Sequence, residues 1–598
     1  MSFLNVLDRM IRRPLSARQR RNTLRSFRPF IEFLELRCVP TTVTPTTFAD
    51  GVLGSGSLRD AVLQFNADAS SDDDIIQLLA GTYHLTIQNA GGRHETAGLT
   101  GDLNLTQTSH HWIIQGAGTS TIIDAGQLQD RAFQIVNPGS QVVFRDLVIQ
   151  GGLARDNGAD GALAWSTDSL GGGILNNGGN VTLDHVVLTN NVARGGDVAA
   201  LGVAGHNGFG GGIYSSGGAL TLAGATLANN QVSGGRGGNH NGQYAGDGGS
   251  ASGGGLYATG GSLDISDSMV TSNRGTGGRG GDGYLTTGVT TFGHTYRYYT
   301  AGGVGGTAAG GGLYVNGGSL TIASSAITTN QAAGGSAGLG GSFNGFGQAG
   351  GLYTIGTLTV SDSTLSSNTG GGIYNGFGIA KISDSTVSQN KGGSGLANYG
   401  TMTISGGTVS KNNNRNASGG GIQNDDSGTL TICAGAIVSD NTSSYGGGVY
   451  NGYGTVTITG SSLLRNSVNN DGGGIFSQGG TLTINGGSIL SGNTAYQGGG
   501  IYMAYGGVAG GPSTLTIDGS TLGPATVNGV AVPGNTATGA GGGIFITTNA
   551  TATVKNSSTI TGNTAPAGYG ADVYNLGTLY WDGTGSLGNW NGNLYILI

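Results

Sequence analysis

Apolar and polar residues alternate in short bursts through most of this chain, and the bursts repeat. The stretch "GGLYTIGTLTVSDSTLSSN" (350–368) is followed one residue later by "GGGIYNGFGIAKISDSTVSQN" (370–390). Within "TLTVSDSTLSSN", Leu358 and Val360 fall on one side and Thr357 and Thr359 on the other, the two-residue period of a strand. Each burst spans three to five residues bounded by Gly, Ser, Asp or Asn, so a unit holds three strands, as in "GGIYN", "IAKIS" and "STVSQ". Strands this short do not complete a sheet within one unit. They pair in parallel with the corresponding strands of the next unit, which winds the chain into a coil of stacked triangular rungs, a parallel β-helix.

Two markers track the repeat. The aliphatic residue after each Gly cluster recurs at Ile174, Ile213, Leu256, Leu313, Leu352, Ile373, Leu396, Ile422, Val449, Ile475, Ile501, Ile544 and Val573, with a minimum period of 21–27 residues. An Asn recurs behind it at Asn191, Asn230, Asn273, Asn330, Asn368, Asn390, Asn412, Asn441, Asn466, Asn493, Asn535 and Asn563. Two markers that keep phase over twelve units define a repeat architecture. One rung buries about four aliphatics, such as Ile373, Ala380, Ile382 and Val387, on the order of 5–10 kcal/mol. Ordering its residues costs roughly 1–2 kcal/mol each, so a lone rung fails and its neighbours must offset the deficit. The Asn column reads as structural. Asn tolerates the left-handed conformation at a tight turn, and its amide can bond to the Asn about 4.8 Å away on the next rung.

Residues 56–68, "GSLRDAVLQFNAD", change the period. Leu58, Ala61, Val62 and Phe65 follow helical spacing, with Ser57 as N-cap, and predict a short amphipathic helix over the open end of the coil. The organisation expected is a basic segment at 1–40, a linker at 41–55, the cap helix and its loop at 56–74, early irregular rungs at 75–170 and regular Gly-rich rungs at 171–598. Insertions fall at 193–209, 234–252, 275–309, 332–349, 503–513 and 523–534. The first four leave the repeat at one corner, between an Asn and the next Gly run, and read either as a binding surface or as flexible loops. In all this is an all-β, single-stranded solenoid of about 16–18 rungs with one capping helix.

Composition narrows the function. Gly supplies 125 of 598 residues, charged residues only 10%, and Glu occurs only at Glu32, Glu35 and Glu95, which excludes a mainly helical body. Residues 1–40 carry nine Arg against three acids, while the remainder is acidic. A basic head on an acidic body points to a targeting segment rather than to a nucleic-acid surface. No apolar run is long enough for a transmembrane helix. Cys38 and Cys433 form no disulfide framework, and Cys433 reads as a small filler beside a strand.

The Gly-Gly cluster followed by an aliphatic and a later hydrophobic-x-x-Asn resembles the repeat of polymorphic outer-membrane proteins and the wider right-handed parallel β-helix repeat family of bacterial surface proteins. "GSLRDAVLQFNAD", "TIIDA" and "RAFQIV" resemble the N-terminal part of such proteins. The segment "FLELRCVP" (33–40) is similar to the Leu-Glu-x-Arg-x-Val-Pro motif of exported planctomycete-type proteins. The resemblance implies a secreted, cell-surface or outer-membrane location in a bacterium and an adhesin-like or structural role. The alternating strands of a C-terminal membrane barrel do not fit after Val573.

Candidate chemistry is sparse. Pectin lyase-like β-helices host polysaccharide-cleaving enzymes, and stacking can set two carboxylates about 4.8 Å apart, near the spacing of a retaining glycosidase pair. Asp362 and Asp384 share such a column, but the column elsewhere reads Asp267, Gly407, Gly435 and Gly519, which is turn preference. The segment "GGRGGDGYL" (277–285) fits a calcium-binding nonapeptide and makes Asp282 the other weak metal candidate. No catalytic residue and no cofactor are expected, with calcium the single ion considered. After the marker aliphatic come Tyr214, Tyr257, Tyr314, Tyr353, Tyr374, Tyr450, Phe476, Tyr502, Phe545 and Tyr574, an external aromatic stripe interrupted at Ala397 and Gln423. It reads as sheet-stabilising stacking or as a strip for carbohydrate or a cell-surface partner. The expectation is a monomeric, non-enzymatic surface protein. The alternatives are a polysaccharide lyase or glycoside hydrolase and a calcium-dependent surface-layer module.

Overall fold

The computed structural model describes residues 41–68, 73–240, 244–289, 294–507 and 511–596, and the basic segment 1–40 lies outside the described residues. Three parallel sheets of 18, 16 and 16 strands form the faces of a β-helix, matching the expected rung number. In the unit that starts at Ile373, the first face takes Ile373–Asn375, the second Ile379–Ser383 and the third Thr386–Ser388. The near-duplicate at 350–390 is two adjacent rungs in register. Tyr353 pairs with Tyr374, Leu358 with Ala380 and Leu365 with Val387. One apolar core runs from Leu58 to Leu579, fed by the marker aliphatic, alternate residues of the second face and one residue of the third.

Helix α1 (Leu58–Ala67) closes the coil. The Ser57 hydroxyl accepts from the Asp60 N–H at 3.1 Å, and Leu58, Ala61, Val62 and Phe65 are buried. Phe65 meets Trp112 edge-on with ring centroids 5.9 Å apart. The buried Arg59 is held by the Asp50 carboxylate and by the carbonyls of Gly98 and Gly101.

The Asn column forms a continuous buried ladder. Asn412 donates from its backbone N–H and from Nδ2 to Asn441 Oδ1, each at 3.0 Å, and from Nδ2 to the Val387 carbonyl at 3.0 Å. Its own Oδ1 accepts from Asn390 at 2.9 Å. The amides continue in this sense from Asn191 to Asn563, whose Nδ2 donates to the Asp572 carboxylate at 2.8 Å. The turn-conformation reading of these residues needs correction. The left-handed residue is the one before the ladder Asn, among them Ser272, Thr329, Ser367, Gln389 and Lys411. It takes up the bend so that the amide can point along the stacking axis. The corner between second and third faces is also shifted from the sequence reading. Gly406, Gly407, Ala434 and Gly435 are all left-handed, but Ser383 pairs with Ser405 and Ser405 with Cys433, so the residues stacked on Asp384 are Gly406 and Ala434 rather than Gly407 and Gly435. The N–H of Asp384 bonds to the Ser405 carbonyl and that of Gly406 to Cys433, which fixes this register. Cys433 ends strand Thr429–Cys433 on its outward side as a half-buried free thiol.

The described parts of the four Gly-rich insertions lie side by side as a wing. At its root, Val192–Arg194, Gln231–Ser233, Arg274–Thr276 and Gln331–Ala333 pair in parallel, as do the returning pieces Gly208–Phe209, Ala251–Ser252, Ala308–Ala309 and Gly347–Gln348. Small residues, among them Ala193, Val232, Ala251 and Ala308, fill the space between the two root sheets.

Beyond the root the bonding period becomes three. Gly234, Gly237 and His240 donate to Thr276, Arg279 and Asp282 of the next insertion, while Gly235 and Gly238 donate to His206 and Val203 of the preceding one. The third residue of a triplet turns outward and its N–H meets a side chain from the layer before: Arg236 on Asp197, Asp282 on Asn239, Val304 on Asp247. A three-residue period bonded only between segments is that of packed polyproline-II-like strands. A Cβ on Gly278 would overlap the Gly235 carbonyl, and one on Gly306 the Gly249 carbonyl, so these positions admit only glycine. The insertion 275–309 extends further as an antiparallel hairpin, Tyr284–Val289 with Thr295–Thr300, and a second hairpin, Ala525–Val527 with Val530–Val532, lies in the insertion 523–534.

Candidate functional site

The aromatic stripe is present and its geometry is regular. Tyr214, Tyr257, Tyr314, Tyr353 and Tyr374 stack with centroids 4.6–5.3 Å apart and planes within 8° of parallel. In-register strands impose this, since each ring stands on the same strand position one rung along. The expected interruption at Ala397 is bridged: Tyr399, two residues on, places its ring 5.0 Å from Tyr374 at 25°. The stripe resumes as Tyr450, Phe476, Tyr502, Phe545 and Tyr574, with centroids 5.0–5.4 Å apart. Gln423 is therefore the single break between a stack of six rings and a stack of five, and among the described residues no ring contact joins Tyr399 to Tyr450.

Stacking covers ring faces. Within each stack a ring presents only its edge outward, and Phe476 and Phe545 are buried. The ring face of Tyr399 towards Gln423 has no ring against it. The Gln423 amide reaches the Tyr399 hydroxyl at 3.3 Å and the Asp425 carboxylate at 3.3 Å, and the Ser394 hydroxyl donates to Gln423 Oε1 at 3.4 Å. Asn414 Nδ2 donates to Ser394 Oγ at 3.3 Å. These groups face a notch whose walls are Gln348, Tyr374, Ser394, Tyr399, Asn414 and Gln423, over the glycines Gly370, Gly371, Gly392 and Gly393. The notch exists because rungs 350–412 carry no wing. The first wing ends at Gln348, and the next ridge of short strands at the same corner starts at Asn413. Burial, then the nearby Asp425 and Asp426 charges, raise the Tyr399 phenol. Burial, then Asp425, push the Tyr450 phenol up to about 12. Both hydroxyls remain protonated through the neutral range.

The acidic candidates lie elsewhere. Asp362 and Asp384 sit side by side at an exposed corner in left-handed conformation. Asp282 is engaged within the wing. Its carboxylate pairs with Arg236 and Arg279 and accepts the Leu339 N–H at 2.9 Å. The Arg279 hydrogen bond, outweighing a smaller burial penalty, holds this carboxyl below the usual range.

A buried charge cluster behind the cap was not legible as a motif. His94, Asp102, Asp130, Arg131 and Asp156 are all at most 4% exposed. Arg131 Nη2 donates to Asp156 Oδ1 at 2.7 Å and Nη1 lies 3.4 Å from Asp102 Oδ2, while His94 Nε2 meets Gln134 Oε1 at 2.8 Å. Burial alone would lower the His94 pKa, but the Asp102 charge and the Asp130 hydrogen bond outweigh it and raise it to about 9. Burial, then repulsion by Asp130, raise Asp102 to about 7. His94, Asp130 and Asp156 carry ligand atoms within 4.8 Å of one another. The Arg131 guanidinium already holds Asp156 and lies 3.5 Å from Asp130, so the donor set is used as an internal ion network.

No protein-family model matches the chain, and no curated protein matches it. Among the described residues no helix is long and apolar enough to cross a membrane.

Proposed function

We propose that this chain is a non-enzymatic secreted or cell-surface protein, structural or adhesin-like, whose shaft presents an elongated binding surface. One observation carries the reading: the clustered side chains able to do chemistry are paired among themselves, whereas the continuous outward features are the stripe and the wing. His94, the three carboxylates around Arg131 and Asp282 are paired with one another or with arginines. The basic head and the repeat's likeness to bacterial surface β-helix proteins support export and kinship with that family. A calcium-dependent role is disfavoured because the Asp282 oxygens already serve two arginines and a backbone N–H.

The test combines localisation with a cleavage screen. Protease applied to intact cells should remove the protein, and the purified full chain should release no new ends from pectins, β-glucans or chitin. Cleavage that disappears on substituting Asp362 and Asp384 together would replace this reading with the enzymatic one.

A further inference from the structure

The break in the aromatic stripe leaves the Tyr399 face towards Gln423 with no ring against it, beside an open notch. We propose that the notch at Gln423 is a binding site for a pyranose ring of a neutral glycan, stacked on the free face of Tyr399. This rests on the reading of the chain as a surface protein and names the ligand class of its exposed strip.

Three independent features converge there. The first is the ring arrangement. Two rung spacings, about 9.6 Å, separate the rung of Tyr399 from that of Tyr450, and the intervening rung supplies an unbranched amide side chain instead of a ring. The second is access. The first wing stops at Gln348 and the next ridge starts at Asn413, so the notch lies where neither covers the stripe.

The third is the polar lining. Ser394 is 5% exposed and Asn414 is 7% exposed, and both line the notch beside Gln423 and Gln348. Their contacts with one another and with Gln423 are long, 3.3–3.4 Å. A sugar hydroxyl, donor and acceptor at once, can bridge such amides and hydroxyls better than they bridge each other. An aromatic face flanked by a few fixed polar groups is a site that orients a ligand with one apolar face and a polar rim. The charge selects among sugars. Asp425 lies 3.3 Å from the Gln423 amide, so an acidic sugar would bring a like charge to this lip.

The experiment is a glycan array probed with the full-length chain and three variants, each checked for an unchanged fold by its melting curve. Tyr399→Ala removes the stacking face. Gln423→Tyr places a ring in the column and joins the two stacks into one. Tyr502→Ala removes a ring whose faces are both covered, between Phe476 and Phe545. The expected result is retention of neutral glycans by the wild type, at least tenfold weaker in Tyr399→Ala and in Gln423→Tyr, and within twofold of wild type in Tyr502→Ala. Gln423→Tyr should also melt higher than wild type, which separates loss of the site from loss of the fold. Wild type that retains only acidic glycans or none, Gln423→Tyr that binds like wild type, or Tyr502→Ala that loses binding equally would each overturn the proposal. None of these outcomes touches the surface-protein reading, which stands or falls on localisation and cleavage.

Discussion

The shaft and the wing are both built from layers in register, yet they use opposite means. A shaft rung is held by side chains. Ile373, Ala380, Ile382 and Val387 fill its interior and Asn390 closes its ladder. The inner wing layers touch through glycine backbone, with side chains bonding only along the outer edge and at the root, at separations that leave no room for a Cβ at Gly235, Gly278, Gly306 or Gly335. In the shaft the identity of the side chain stabilises the structure. In the wing its absence does. Glycine thus plays two unlike parts in one chain: at shaft corners such as Gly406 it relieves a left-handed turn, and in the wing it permits close approach.

A single added methyl group strikes the wing hardest. Gly278→Ala should open the wing, with amide protection at residues 234–240, 244–249 and 277–281 falling by roughly a thousandfold, equivalent to about 4 kcal/mol. The shaft's melting temperature should barely move. Hydrogen exchange followed by peptide mass analysis reads both regions at once, and protection retained in the wing would refute the close-packing account.

The converse substitution strikes the shaft. Asn412→Ala removes the acceptor of the Asn390 N–H and of one Asn390 Nδ2 hydrogen, and a donor to the Val387 carbonyl, in a buried column, at about 2–4 kcal/mol. Urea unfolding should lose that stability, while wing protection far along the shaft stays at wild-type level.

A pH titration sharpens the contrast with smaller effects. His94 has its pKa raised to about 9 from 6.5, so its contribution is complete below 6.5 and is lost as pH rises through 9. The capped end should therefore lose on the order of 1–3 kcal/mol between pH 6.5 and 9, and His94→Gln should flatten that slope. Asp282 has its pKa lowered from 3.8, so its contribution is present above that value and is lost as pH falls below it. Its ion pairs are partly exposed, and the wing should lose less than about 1 kcal/mol in acid. The Asn ladder between Asn191 and Asn535, all amides, should respond to neither change.

Much of the shaft was legible in the sequence because its parts are periodic. The alternation of Leu358 and Val360 with threonines, the marker aliphatics and the twelve Asn positions define rungs without any knowledge of contacts. Register at corners was less legible. In "SGG" (405–407) both glycines are left-handed, and only the ladder bonds show that Gly406 is the one stacked on Asp384. The wing was hidden because a Gly-rich segment looks alike whether flexible or packed. Its signal was the triplet spacing in "GGRGGN" and "GGRGGD", where the third residue alternates with glycine pairs. Tyr399 was missed since it stands two residues from its column, and the ion cluster because its members, from His94 to Asp156, come from different rungs with no common spacing.

The ladder of amides also gives the molecule a counting rule. Every ladder Asn passes its backbone N–H and one amide hydrogen forward to the next rung, and the carboxylate of Asp572 receives the last of them. A shaft interrupted between rungs before that point ends on a buried amide with two unanswered N–H groups, each costing about 1–3 kcal/mol. Removal or duplication of a whole rung leaves every hydrogen answered. Changes in length are thus tolerated in steps of about 4.8 Å, with Asp572 as the full stop of the sequence of rungs.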